Sequence, residues 1–112
     1  MSKGKGPSFR GGIGEMMRYA NRIQKKLGDM KESMKDETVE ASAGGGMVTA
    51  RVNGERKVVQ IAIDREKADM EDLEELSDLV AAAVNKALDD MDERIKEETH
   101  AITGGMDVPG MF

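Results

Sequence analysis

A chain of 112 residues without cysteine excludes disulfides, thiol catalysis and thiolate metal sites, and two Phe, one Tyr and no Trp leave it thin material for a core. No apolar run approaches the ~20 residues of a membrane span and the amino terminus lacks the apolar stretch of a signal peptide, so the expectation is a protein of the cytoplasm with no membrane partner. The formal charge of −5 conceals a split: residues 1–35 carry nine Lys and Arg against three acids, a net of +6, and the remainder carries −11. The Debye length is about 8 Å at physiological salt, so a local basic region can hold a polyanion on an acidic protein.

Residues 1–12 are rich in Gly, Ser and Lys and read as a flexible basic arm carrying Lys3, Lys5 and Arg10. From Ile13 to Lys35 the apolar residues Met16, Ala20, Ile23, Leu27, Met30 and Met34 recur at alternating steps of four and three. That is the seam of a helix packed lengthwise against another helix. At about 100° per residue, Arg18, Arg22 and Lys25 fall directly behind the seam, with Lys26 at its flank. The spacing therefore predicts a helix with an apolar face and an outward basic stripe.

Val39, Ala41 and Ala43 then alternate with polar residues up to Gly44-Gly45-Gly46, as do Val48, Ala50 and Val52 up to Asn53-Gly54. Asn-Gly is a strong signal for a hairpin turn with positive φ at both positions. Val59, Ile61 and Ile63 complete a three-stranded antiparallel meander with one apolar face. From Asp69 to Thr103 the helical period returns, with Leu73, Leu76, Val80, Val84, Ala87, Met91 and Ile95 in one stripe. Glu98 interrupts that stripe, so the region reads as one C-terminal helix whose distal part projects or frays, or as a helix pair. Gly104-Gly105 opens a tail over 104–112, anchored by Pro109 and Phe112. The expected organisation is a basic arm at 1–12, one α+β dimerising domain at 13–103 and the tail. So little aromatic core favours burial against a second copy, and twofold dimers are the commonest form. Met16, Ile23, Leu27, Met30, Val80 and Val84 are the expected dimer contacts.

No catalytic, cofactor or metal constellation emerges, and the expectation is that the chain is not an enzyme. His100 is the single histidine and lies near a helix C-terminus, where a cation is stabilised. The acids of 71–78 and 89–93 lack the spacing and glycine of a calcium loop and read as solvated helix faces. Gly44–Gly46 is followed by a strand rather than by Lys-Ser/Thr and a helix, so it reads as a turn and not as a phosphate loop. Tyr19 has no second aromatic beside it to make a stacking platform for single strands.

The order of these motifs carries a resemblance. Ala43-Gly44-Gly45-Gly46-Met47-Val48, the hairpin Val52-Asn53-Gly54, the stretch Leu76-Ser77-Asp78-Leu79-Val80-Ala81-Ala82-Ala83-Val84-Asn85-Lys86-Ala87, and the closing Gly105-Met106 with Pro109-Gly110-Met111-Phe112 together resemble the YbaB/EbfC family of bacterial nucleoid-associated proteins. The resemblance covers residues 13–112. It implies a small α+β subunit in an intertwined homodimer whose helical arms project like tweezers and hold double-stranded DNA, in the nucleoid. It also implies that the Gly-rich turn, the Asn-Gly hairpin and the Asn-bearing helix are structural.

Joined to the charge reading, this makes Arg18, Arg22, Lys25 and Lys26, with Lys3, Lys5 and Arg10 of the arm, the expected phosphate contacts. The expected role is to organise the chromosome or modulate gene expression. The rival is a dimeric helical scaffold that docks replication or recombination proteins.

Overall fold

The 4-3-4-3-4 seam folds as α1 (Ile13–Met34), the first element of a computed structural model that describes residues 12–104. Leu27, Met30 and Met34 on that seam are buried. The helix stops where Glu37 N–H donates to the Met34 carbonyl at 3.0 Å and the chain turns into the β-branched pair Thr38-Val39. The meander follows as β1 (Thr38–Ala43), β2 (Val48–Asn53) and β3 (Val58–Ile63), antiparallel and in the order β1-β2-β3.

Both turns depend on glycine, for different reasons. Gly44, Gly45 and Gly46 all take positive φ, at 66°, 65° and 92°, which side chains resist, and a Cβ on Gly44 would stand 2.9 Å from Leu79 Cδ1. The Asn53-Gly54 hairpin departs from the expected geometry. Its loop has three residues between Asn53 and Lys57, Arg56 N–H donates to the Asn53 carbonyl at 2.9 Å, and the positive φ of 63° falls on Arg56. Asn53 Oδ1 accepts from the N–H groups of Glu55 and Lys57 and so caps the loop from within. Gly54 is required by proximity instead: a Cβ there would lie 1.9 Å from the Met34 carbonyl oxygen. The hairpin is thus seated on the end of α1.

Register aligns Val39, Ala41 and Ala43 with Val52, Ala50 and Val48, and these with Val58, Ile61 and Ile63. The strands meet with a shift between Arg51 and Val52, so Val59 is the extra residue of a bulge and Val58 takes the inward place expected of it. Val48, Ala50 and Val52 are fully buried, whereas every residue of β3 is exposed.

The last helix, α2 (Leu73–Thr103), is a single rod of 31 residues, which settles one helix over a pair. It begins four residues later than its periodicity predicts. Asp64 and Asp69 first turn the chain by accepting from Glu66 and Glu71 N–H, and Asp72 then caps the helix by accepting from Glu75 N–H at 3.0 Å. Its first half lies over β1 and β2, where the small residues Ala83 and Ala87 are fully buried and let the helix approach the sheet. Its second half remains helical to Thr103 and contacts α1, and its Ile95 and Ile102 pack against the core cluster that includes Leu27, Met30 and Met34. The resulting body measures 77 × 20 × 18 Å, with a radius of gyration of 21.1 Å. A compact domain of this length would have a radius of about 13 Å.

Candidate nucleic-acid interface

The free end of α1 follows from where α2 stops. Arg94 pairs with Glu37 just past the end of α1, and Arg56 Nε binds Asp92 Oδ1 at 2.9 Å, which fixes that level of α2 beside the hairpin. From Arg94 to Thr103 the helix runs only about 14 Å, enough to cover α1 back to about Lys25. Beyond that level no other described element lies beside α1, and Ile13, Met16, Met17 and Tyr19 are exposed.

The basic stripe begins on this projecting part and ends at its boundary. Arg18, Arg22, Lys25 and Lys26 are all exposed, over about 12 Å of helix. Arg18 stands 3.5 Å from Glu15, and Lys25 Nζ stands 3.2 Å from Asp29 Oδ2. Pairs this exposed contribute little and exchange readily for another anion. The Arg22 guanidinium lies 5.8 Å from the centroid of Tyr19, which steadies its plane. Lys26 forms no ion pair among the described residues. Lys3, Lys5 and Arg10 lie outside the described residues.

The fold also sets one group of acids far from the stripe. The acids that open α2 lie at the sheet end, where Leu79 meets the Gly44 turn. Helix lengths place Leu79 about 35 Å from Lys26, more than four Debye lengths away. Farther along α2, Asp90 pairs with Lys86 at 3.2 Å and Asp92 with Arg56. Asp89, Glu93, Glu97 and Glu98 remain as exposed acids on the second half of α2.

The expected dimer contacts divide into three groups. Leu27 and Met30 are buried within one chain, against its own α2. Ile23, Val80 and Val84 are half-buried at the margin of that core. Met16 is 52% exposed on the projecting part. Another uncovered apolar row comes from the sheet: Val58, Val59, Ile61 and Ile63 are 37–48% exposed because α2 does not reach over β3. An alternating strand signals one inward face but not whether a helix will cover it, so the sequence contained this row without revealing its exposure.

A cavity of about 780 Å³ opens between α1, the hairpin and the second half of α2. Lys31, Lys35, Arg56 and Lys96 line it with Glu32, Glu55 and Asp92, so its charges nearly cancel. The α1 stripe is therefore the stronger field for a polyanion. Among the described residues no group of acids and histidine is placed to hold a metal, and no helix is long and apolar enough to cross a membrane.

Comparison with known proteins agrees with this architecture. A nucleoid-associated protein of Thermoanaerobacter pseudethanolicus is 45% identical over the whole of both chains, and one of Acetivibrio thermocellus is 42% identical, again over the whole of both. The crystal structure of an uncharacterized protein from Helicobacter pylori shares the fold, with a TM-score of 0.70 at 24% identity over 82% of this chain and 97% of that one. The sequence profile of the YbaB/EbfC DNA-binding family matches residues 10–106. With its motif order, its helix–meander–helix fold and this match all in agreement, the chain belongs to the YbaB/EbfC DNA-binding family.

Proposed function

We propose that the protein is a nucleoid-associated protein that binds duplex DNA as a homodimer, largely through phosphates, to organise the chromosome or modulate gene expression. The observation that carries this reading is the exposed basic stripe of Arg18, Arg22, Lys25 and Lys26, which starts on the part of α1 clear of the other described elements and ends where α2 begins to cover the helix. Lys3, Lys5 and Arg10 extend the same positive region along the sequence. Contacts to phosphate supply affinity and position without reading bases. The nucleoid is accordingly its place in the cell.

The second copy is supported by the elongated body and by the bare row on β3. Val58, Ile61 and Ile63 continue the apolar surface of the buried Val52, Ala50 and Val48 directly into solvent. Covering that row, together with Val80 and Val84 of α2, would complete the core and remove an open strand edge.

A mobility-shift titration with random-sequence duplex at several salt concentrations tests this reading. If each protomer neutralises three phosphates, log K falls against log salt with a slope of about −5. Changing Arg18→Glu, Arg22→Glu and Lys25→Glu together abolishes binding while sedimentation still reports a folded dimer. Binding that survives the triple change, or ignores salt, would sink the phosphate reading and leave a scaffold for replication or recombination proteins in its place.

A further inference from the structure

The cavity of about 780 Å³ between α1, the hairpin and the second half of α2 is nearly balanced in charge but unevenly arranged. Met30 and Met34 of α1 and Ile95 of α2 supply apolar wall. At the hairpin end the charges are matched: Arg56 Nε binds Asp92 Oδ1 at 2.9 Å, and Lys35 Nζ stands 3.6 Å from Glu32 Oε2. Glu55 of the hairpin adds a further acid there. Lys96 lines the cavity one helical turn beyond Asp92, on the side away from the hairpin. It forms no ion pair among the described residues. Gly28 is a second, independent observation. It stands in the interior of α1, where glycine is less favourable than almost any other residue, yet a Cβ added there would meet nothing within 4 Å. Gly54, on the same cavity, is demanded by the Met34 carbonyl oxygen, whereas nothing among the described residues demands Gly28. Without a side chain, that position leaves helix backbone open to whatever enters the cavity.

We infer that this cavity binds a small molecule with an apolar body and one anionic group, the body lying along Met30, Met34 and Ile95 over Gly28 and the anion pairing with Lys96. Size permits it, since small-molecule sites measure about 300–1,000 Å³, with apolar walls and a few polar groups that fix orientation. Methionine walls adapt to the shape of what they hold. The ammonium of Lys96 supplies a charge-assisted contact that no side chain of the described chain already takes. Glu55 and the matched pairs repel an anion from the hairpin end and so set the direction of the ligand. This inference does not depend on DNA binding.

Two dyes that differ only in charge test it on the full chain: anilinonaphthalene sulfonate and its uncharged counterpart, phenylnaphthylamine. Fluorescence titration reads affinity, and amide chemical shifts read the site. The expected result is saturable binding with shifts at residues 28–35 and 92–100, and about tenfold higher affinity for the sulfonate. Lys96→Gln should remove that preference, weakening the sulfonate about tenfold and leaving the neutral dye unchanged. Gly28→Leu should weaken both dyes about tenfold by filling the space over the helix, while the denaturation midpoint holds or rises because leucine is the better helix former. A glycine with a purely structural role would not combine those two effects. Absence of saturable binding overturns the inference, as do equal affinities for the two dyes or a preference that survives Lys96→Gln. Shifts confined to residues 58–63 would place the dye on the exposed β3 row and overturn it. Unweakened binding to the Gly28→Leu protein overturns it too. Shifts at 28–35 and 92–100 that appear on raising protein concentration without dye would seat a second copy in the cavity instead, and overturn it as well.

Discussion

The two halves of α1 share one apolar spacing and have opposite surroundings. In the second half Leu27, Met30 and Met34 are 4–7% exposed, held between α2 and the hairpin seated on the helix end. In the first half Ile13 and Met16 continue the same stripe but are exposed, with no other described element over them, and the basic residues stand behind it. The difference teaches that a heptad seam specifies a face and not a partner. What covers the face depends on how far a neighbouring element runs, and α2 ends at Thr103. It also suits the proposed role, since a rigid root can carry a free arm whose charges approach a duplex from outside.

The largest expected effect lies at the root of α1. Gly54→Ala places a Cβ 1.9 Å from the Met34 carbonyl oxygen, which is backbone and cannot swing aside. The hairpin must separate from α1, at a cost of at least about 4 kcal/mol, and chemical denaturation should show a population that is largely unfolded or lacks the α1 contact. A Gly54→Ala protein as stable as wild type would mean the hairpin does not rest on the helix.

A smaller change contrasts the halves directly. Leu27→Ala removes a buried side chain and should lower stability by about 2–5 kcal/mol. Met16→Ala, on the exposed half, should change global stability by no more than about 0.5 kcal/mol. Denaturant midpoints for both variants measure the contrast, and equal losses would show that the projecting half is part of the cooperative core.

The smallest effect sharpens the placement of α2. Asp72→Ala deletes the acceptor for Glu75 N–H and should cost about 1 kcal/mol, while Asp72→Asn recovers most of it because the amide oxygen still accepts. Since this cap lies at the sheet end, DNA affinity should be unaffected once both variants are fully folded. A lowered affinity would place that end of α2 in the interface.

Periodicity and turn chemistry alone sufficed for the helix–meander–helix order, the basic stripe and the glycine turns. These are local properties: a 3.6-residue period, a two-residue alternation and the steric freedom of glycine each act within a few residues. The reading fell short where distance along the chain mattered. That α2 is one rod with a packed second half depends on its meeting α1 and on Ile95 and Ile102 joining a core that includes Leu27, a meeting between segments some seventy residues apart that no short window registers. Only in the folded chain does Gly54 serve approach and Arg56 carry the positive φ, because Met34 and Asp92 come from elsewhere.

The sequence by itself determined which surfaces are apolar and which are charged, because side-chain chemistry and helical phase need no fold to define them. The tertiary structure decided which apolar surfaces no other described element covers: half of α1 and all of β3, since α2 lies over β1 and β2 and stops short of both. It also decided that the acids opening α2 stand about 35 Å from Lys26, a separation that depends on rigid helix lengths and leaves the basic stripe outside their screened field.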